Sequence, residues 1–314
     1  MRLRRRRSVA IAGAGGAAGI HAAAAKPAGL RVAAVASAGG RSARALAGEA
    51  GARRVDPADL PAGAAVLVVA TPVASHLELT ERGLRAGAQV LVESPWWTDV
   101  ADARSAVEAD RAGPGTVRGA LNLRSSPLWR RALQERSQLD APGHVSGAIH
   151  QPAPDWGHLR GRAEVDGPLV RLGATAVTLA LDLAGPDWPE VERVRAGRSG
   201  TEGWIDLELP GLVVHLELGH SGEPSVWFQA AGDDAVLRVE CSPVPGLERN
   251  GAPIDVRGSA DPLTTTGYVD QLAGLGGPGD LTLDADQMLL VTSVLDAAER
   301  SAAEDGRPRT PGAD

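Results

Sequence analysis

Between Ser8 and Ala25 the chain reads as a short apolar strand, a glycine-rich turn and an alanine-rich helix, the turn being Gly13-Ala14-Gly15-Gly16-Ala17-Ala18-Gly19. A G-x-G-x-x-A turn in that setting narrows the fold to a βαβ unit that binds a dinucleotide. Gly13 permits the tight turn, Gly15 lets the backbone approach a pyrophosphate, and Ala18 is small enough for close helix–strand packing. The N-terminus of the following helix favours phosphate charge. Gly13, Gly15, Gly16, Ala17 and Ala18 are therefore candidate cofactor-binding positions. A merely flexible turn is the alternative, and the segments that follow argue against it.

Leu30 to Ala36 is the next strand, ending at Ser37. An NAD site carries an acidic residue there, on the ribose 2′-hydroxyl. Ser37 has no charge to repel a 2′-phosphate, and Arg41 and Arg44 follow within one helical turn of each other. Ser37 and Arg41 thus predict NADP as the cofactor. Ala65 to Ala70 is a further apolar strand, ending in Thr71-Pro72 and leading into a helix from Val73 to Ala86 that contains His76. Gln89 to Val92 is another, ending in Glu93-Ser94-Pro95. Apolar strands alternating with helices predict a doubly wound parallel sheet, whose ligands lie at the carboxyl ends of the strands. Thr71, Pro72, His76, Glu93 and Ser94 fall at those ends and join the candidate cofactor site. His21 and His76 read as residues that orient backbone.

After Leu121 the pattern changes. His144 to His150, Trp204 to Leu209, Leu212 to Leu218, Val226 to Ala230 and Ala235 to Cys241 alternate or run apolar, with Gly, Pro and Asp turns between them. Gly173 to Leu183 and Leu283 to Ala303 read as helices. The reading is an α/β chain: a nucleotide-binding Rossmann domain over 1–121 and a second α/β domain over 122–314.

The 314 residues suffice for two domains. A net charge of −7 argues against a nucleic-acid surface. No stretch reads as a membrane span, and the arginine run at residues 2–7, with the glycine-broken segment after it, reads as a solvated leader and not a secretory signal. The single cysteine, Cys241, lies in an alternating stretch as a buried thiol and fits a cytoplasmic, reducing compartment. No His/Cys cluster has metal-ligand spacing.

Together, Gly13-x-Gly15-x-x-Ala18-x-x-His21, Ala70-Thr71-Pro72-x-x-x-His76 and Ala86-Gly87-x-x-Val90-Leu91-Val92-Glu93-x-Pro95 make the chain resemble the glucose–fructose oxidoreductase, inositol dehydrogenase and rhizopine-catabolism family, Gfo/Idh/MocA. Weaker matches lie at Asn122-x-Arg124-x-x-Pro127, at Gly167 to Gly173 and at Ala297 to Gly306. The resemblance implies that the second domain carries an open-faced mixed, largely antiparallel sheet, that its open face joins copies into a homo-oligomer, that Pro95 follows a cis bond, and that the chain acts on a small-molecule substrate.

It also exposes three departures. The family's Glu-Lys-Pro lysine is Ser94 here, and the only lysine in the chain is Lys26. In the later Asp-x-Gly-x-His motif, the aspartate position is Arg171 and the histidine position is Thr175, while Gly173 keeps the frame. Hydroxyl groups do not act as general bases near neutral pH without an activating neighbour. Other proton donors are then needed, and His150, His158 and Tyr268 are the candidates, with Ser94 as a hydrogen-bonding partner. Trp96-Trp97 either stacks on a planar substrate or packs its loop. Two functions lead, ahead of ordinary sugar or polyol oxidoreduction with relocated catalytic groups. One is an NADP-dependent reductase of a C=N, C=C or C=O bond. The other is a redox-inactive protein or non-redox catalyst, such as a cyclase or isomerase, that keeps the nucleotide-binding fold.

Overall fold

The computed structural model describes residues 7–152, 163–220, 222–256 and 261–312. The chain divides into two compact units: residues 1–126 with 259–289, and 127–258 with 290–314. The sequence reading placed 259–289 in the second domain; the chain instead returns this segment to the first.

The first unit is built on a six-stranded parallel sheet made of β1 (Ser8–Ala12), β2 (Arg31–Ala36), β3 (Arg53–Arg54), β4 (Val66–Val69), β5 (Gln89–Val92) and β6 (Thr116–Gly119), in the order β3-β2-β1-β4-β5-β6. The order reverses between β1 and β4, which opens a crevice at their carboxyl ends. Helices α1 (Gly16–Ala25) and α2 (Gly40–Glu49) cover one face, where Ala18, Ala24, Ala43 and Leu46 join Ile11, Val68 and Leu91 in one core. Helix α3 (His76–Arg85) covers the other: a Cβ on its Gly83 would meet the Val90 and Leu67 side chains. Beside α3 lies α4 (Val100–Ala112). With both faces covered, these strands are apolar throughout and carry no alternation, which is why they read so plainly in the sequence.

The second unit begins with α5 (Pro127–Arg136) and β7 (His144–His150), followed by α6 (Ala163–Ala184), which is interrupted at Gly167 (φ 66°). Seven strands come next: β8 (Arg193–Ser199), β9 (Glu202–Leu209), β10 (Leu212–Gly219), β11 (Ser225–Ala231), β12 (Val236–Ser242), β13 (Gly246–Arg249) and β14 (Ala252–Pro253). With β7 they form a sheet in the order β14-β13-β12-β11-β7-β10-β9-β8. Only β7 and β10 run parallel to each other; the remaining pairs are antiparallel. Residues Val145, Ile149, Ile205, Leu216 and Phe228 point to one buried face. There α6 packs beside Ile205, and the Trp129 ring of α5 meets Phe228 edge-on at 5.6 Å. Asp182 of α6 accepts hydrogen bonds from the indoles of Trp129 (3.0 Å) and Trp188 (2.9 Å), which satisfies this buried carboxylate. The sequence reading found no stretch able to cross a membrane. Gly167–Ala184 does have the length and mean hydropathy (1.3), but 83% of it is buried inside the unit, as befits a core helix.

Three helices complete the chain: α7 (Pro262–Thr265), α8 (Tyr268–Gly274) and α9 (Ala285–Ala303), the last running across the boundary at 289/290. Helix α8 packs on α1, so Val269, Leu272 and Leu275 extend the α1 core. Its entry is fixed by Gly267 (φ 88°), where any Cβ would strike the Asn122 carbonyl. Buried Arg124 holds the same returning segment: its Nη1 donates to the carbonyls of Leu281 (3.1 Å) and Thr282 (3.4 Å) and to Gln287 Oε1 (3.4 Å). Arg124→Ala leaves those acceptors without a cationic donor and is expected to cost about 2–3 kcal/mol of stability. Urea unfolding checks this, and Arg124→Lys, with its point charge in place of a fork, recovers only part of the loss.

Candidate functional site

The carboxyl ends of β1, β2 and β4 meet at Gly13. Its φ is +115°, its N–H donates to the Ala36 carbonyl at 2.8 Å, and a Cβ there would run into the Ala70 carbonyl. Only glycine satisfies the three strands together. The next two glycines differ. Gly15 is exposed, a Cβ there meets nothing within 4 Å, and it caps α1 with no side-chain hydrogen bond. There is no acidic residue in the first turn of α1. The helix therefore presents uncapped N–H groups and its positive dipole end to open space, a shape and charge that fit a pyrophosphate. Gly16 is exposed beside it, Ala17 is half-buried, and Ala18 is buried against the sheet.

At the end of β2, Ser37 accepts a hydrogen bond from the Gly39 N–H (3.2 Å), and Arg41 is exposed on the first turn of α2. No acidic residue lies in that first turn. Sequence reasoning missed Arg54 of β3, whose Nη2 lies 3.2 Å from where a Gly40 Cβ would stand. Two guanidinium groups thus border the β2–α2 turn. Arg54 is far from Ser37 in sequence, and only the β2/β3 pairing brings it there.

At the end of β4, Thr71 Oγ1 accepts from the Ser75 hydroxyl (2.8 Å), and Pro72 is exposed. Buried His76 bridges two loops, with Nε2 2.8 Å from the Thr71 carbonyl and Nδ1 3.0 Å from the Trp96 carbonyl. This is the backbone-orienting role expected of it. Burial outweighs those hydrogen bonds and lowers its pKa below the ordinary 6.5.

At the end of β5, Glu93, Ser94 and Pro95 are half-buried, and the Ser94–Pro95 bond is cis. The two tryptophans that follow are not a stacking surface. Both are buried, and Trp96 Nε1 donates to the Ala120 carbonyl at 3.3 Å, so they pack the loop onto the sheet. His21 also departs from expectation: its Nε2 pairs with Glu93 Oε1 and not with backbone. Tyr268, assigned to the second domain by sequence, lies in the first unit with its ring edge-on to His21 at 5.5 Å. Burial, and then the nearby Glu93 carboxylate, push the Tyr268 phenol above its ordinary range.

The other sequence-nominated residues lie elsewhere. His150 has the opposite parity to Ile149, so its side chain sits on the sheet face that α6 does not cover, 3.7 Å from Glu202 and 3.5 Å from the Ser225 hydroxyl. Its place as the last residue of β7 suggested a cleft; strand alternation turns it away from α6. His158 falls outside the described residues. Arg171 and Thr175 are half-buried, four residues apart on α6, while Leu172 and Ala176 between and beside them are buried. Cys241 is half-buried on β12, and burial raises its thiol pKa to about 12. Among the described residues, no three His, Cys, Asp or Glu side chains group to hold a metal.

Residues 7–117 match the Gfo/Idh/MocA family model, an oxidoreductase family with an NAD-binding Rossmann fold. Over that segment the chain is similar to this family. Solved structures extend the likeness of fold over the whole length. GenD2 from gentamicin A biosynthesis, in complex with NAD, superposes with a TM-score of 0.83 at 23% identity, over 100% of this chain and 98% of that one. The aldose–aldose oxidoreductase of Caulobacter crescentus gives 0.81 at 20% identity, over 98% and 100%. UDP-N-acetylglucosamine 3-dehydrogenase GnnA of Acidithiobacillus ferrooxidans gives 0.79 at 18% identity, over 95% and 98%. Gly13, Thr71, Glu93 and Pro95 follow the carboxyl ends of β1, β4 and β5, the edge at which doubly wound sheets take their ligands.

The lowered His76 pKa has a consequence for stability. The unfolded chain takes up a proton near pH 6.5 that the folded chain resists, so this residue's contribution to stability is lost as pH falls through 6.5 and is restored above it. His76→Gln is expected to flatten the acid side of the stability profile between pH 5 and 7, measured by urea unfolding at each pH. An unchanged profile contradicts a neutral, buried imidazole.

Proposed function

We propose that the chain is an NADP-dependent reductase of a C=N, C=C or C=O bond in a small metabolite. The observation that carries this reading is the end of β2, where Ser37 stands in place of a carboxylate while Arg41 and Arg54 border the turn. A 2′-phosphate would find two cationic forks there and no anion to repel it. Gly13–Ala18 and the ends of β4 and β5 would hold the reduced cofactor, which when bound would supply a hydride for an electron-poor carbon. The protein then has to hold the substrate and deliver a proton. Ser94 offers a hydroxyl for the first task. Of the proton donors that the sequence suggested, Tyr268 lies beside His21 in the same unit as the cofactor turn, whereas His150 sits on the sheet face that α6 does not cover. In keeping with the family resemblance, we further take that open face, which bears Trp204, Trp227 and Val213, as the surface joining copies of the chain, and a cytoplasmic setting.

The second reading, a redox-inactive or non-redox protein with a retained nucleotide site, draws its support from Ser94, Arg171 and Thr175 at the family's three chemical positions. The two readings share cofactor binding and differ in whether bound NADPH is oxidised by any carbonyl, imine or enone.

Arg41→Ala is expected to weaken NADPH by about 10–100-fold and NADH by less than about threefold, on the scale of one charge-assisted hydrogen-bonded pair. Nicotinamide fluorescence titration reads both. Equal losses for the two coenzymes contradict a 2′-phosphate contact.

A further inference from the structure

Where the family's lysine is missing, another ionisable pair stands one residue away. Glu93 is the first residue beyond β5, and 21% of its side chain is exposed. Its partner His21 lies on α1 just past the glycine turn, with a side chain that is 0% exposed. His21 Nε2 hydrogen-bonds Glu93 Oε1, and its Nδ1 is buried with no hydrogen-bond partner. Two more groups face the carboxylate: Tyr268 from α8, edge-on to the His21 ring, and His76 from α3, which feels the Glu93 charge. The Tyr268 hydroxyl makes no hydrogen bond among the described residues.

The asymmetry of the pair is informative. Burying an ionisable group costs desolvation that a partner must offset, and Glu93 is the partner of the buried His21. Here the imidazole is sealed inside the core, and the carboxylate alone reaches out at the carboxyl end of a central strand, where ligands of a doubly wound sheet bind. The direct contact between His21 Nε2 and Glu93 Oε1 gives a proton a path between the buried imidazole and the carboxyl that reaches out. A cluster of interacting ionisable groups at such a strand end is also where catalytic acids gather.

We infer that Glu93 is the catalytic acid of the proposed reduction, with His21 as the residue that positions and recharges it. The inference rests on the reductase reading above. In the step, the hydride from the reduced nicotinamide cofactor forms a new C–H bond as the C=X π bond breaks. The electron pair moves to X, and the proton carried by the Glu93–His21 pair forms X–H. The pair is left as carboxylate and neutral imidazole, and solvent at the exposed carboxyl oxygen returns the proton.

The test uses the full chain with NADPH and three probes: methylpyrroline for C=N, cyclohexenone for C=C and diacetyl for C=O. For whichever probe the wild type reduces, Glu93→Gln is expected to lower kcat about 100-fold or more, since a general acid contributes roughly 10²–10⁴. Gln accepts the same hydrogen bond but carries no transferable proton, so the loss in kcat exceeds any change in the NADPH Kd by about tenfold or more. The alkaline limb of the kcat pH profile, on which the rate falls as the acid loses its proton, disappears, and Glu93→Asp restores part of the rate. His21→Gln lowers kcat less and displaces that limb. A readout without substrate accompanies these: histidine nitrogen NMR of the cofactor-free protein places the His21 proton on Nε2, with its signal kept in Glu93→Gln and lost in Glu93→Ala. Wild-type turnover with an unimpaired Glu93→Gln, or a His21 proton found on Nδ1, overturns the Glu93 assignment and leaves the reductase reading standing. NADPH binding without reduction of any probe overturns the reductase reading and the assignment together.

Discussion

The first unit hangs on one contact, the approach of the Gly13 backbone to the Ala70 carbonyl. Gly13 closes the turn between β1 and α1, bonds to the end of β2 and leaves no room for a side chain beside the end of β4. Three neighbouring strands are thus brought to a common edge. Every group considered for the cofactor stands on that edge: the open α1 N-terminus, Ser37 with its two arginines, Thr71, and Glu93. Losing the contact moves them all, because each is placed by a strand end and not by its own loop.

Burial on both faces made this unit legible. Ser8–Ala12 and Gln89–Val92 are apolar runs bounded by glycine, proline or polar residues, and they form strands at almost the positions their composition suggests. In the second unit β7, β9, β10 and β12 were legible by alternation. Strand β8 was not. Its buried Val194 and Ala196 alternate with Arg193 and Arg195, and those two arginines, with Arg198 near the end of the strand, hide its apolar row. The alternation of β7 already contained the placement of His150, since Val145, Gly147 and Ile149 share the other face.

The less legible half of the site is the part built by distant segments. Residues 259–289 follow the second sheet in the chain, so sequence order assigns them there. The hydrogen bonds of Arg124 and the packing of α8 on α1 return them to the first unit, and Tyr268 comes with them to His21. Arg54 reaches the β2–α2 turn only through strand pairing. Glu93 and His21 are 72 residues apart, and each was visible separately as a motif position. Their pairing depends on α1 lying over β1 and β4 so that His21 reaches the end of β5, a property of the sheet order and not of any local pattern.

The central claim is that the glycine edge binds a nicotinamide dinucleotide and that Ser37, Arg41 and Arg54 select the phosphorylated form. Calorimetric titration of the full chain with NADPH and with NADH tests it most directly. The account predicts saturable one-to-one binding of NADPH, tighter than NADH by about tenfold or more, which corresponds to about 1.4 kcal/mol. Equal affinity for the two, or preference for NADH, contradicts the reading of the β2 end; no binding of either contradicts the account as a whole.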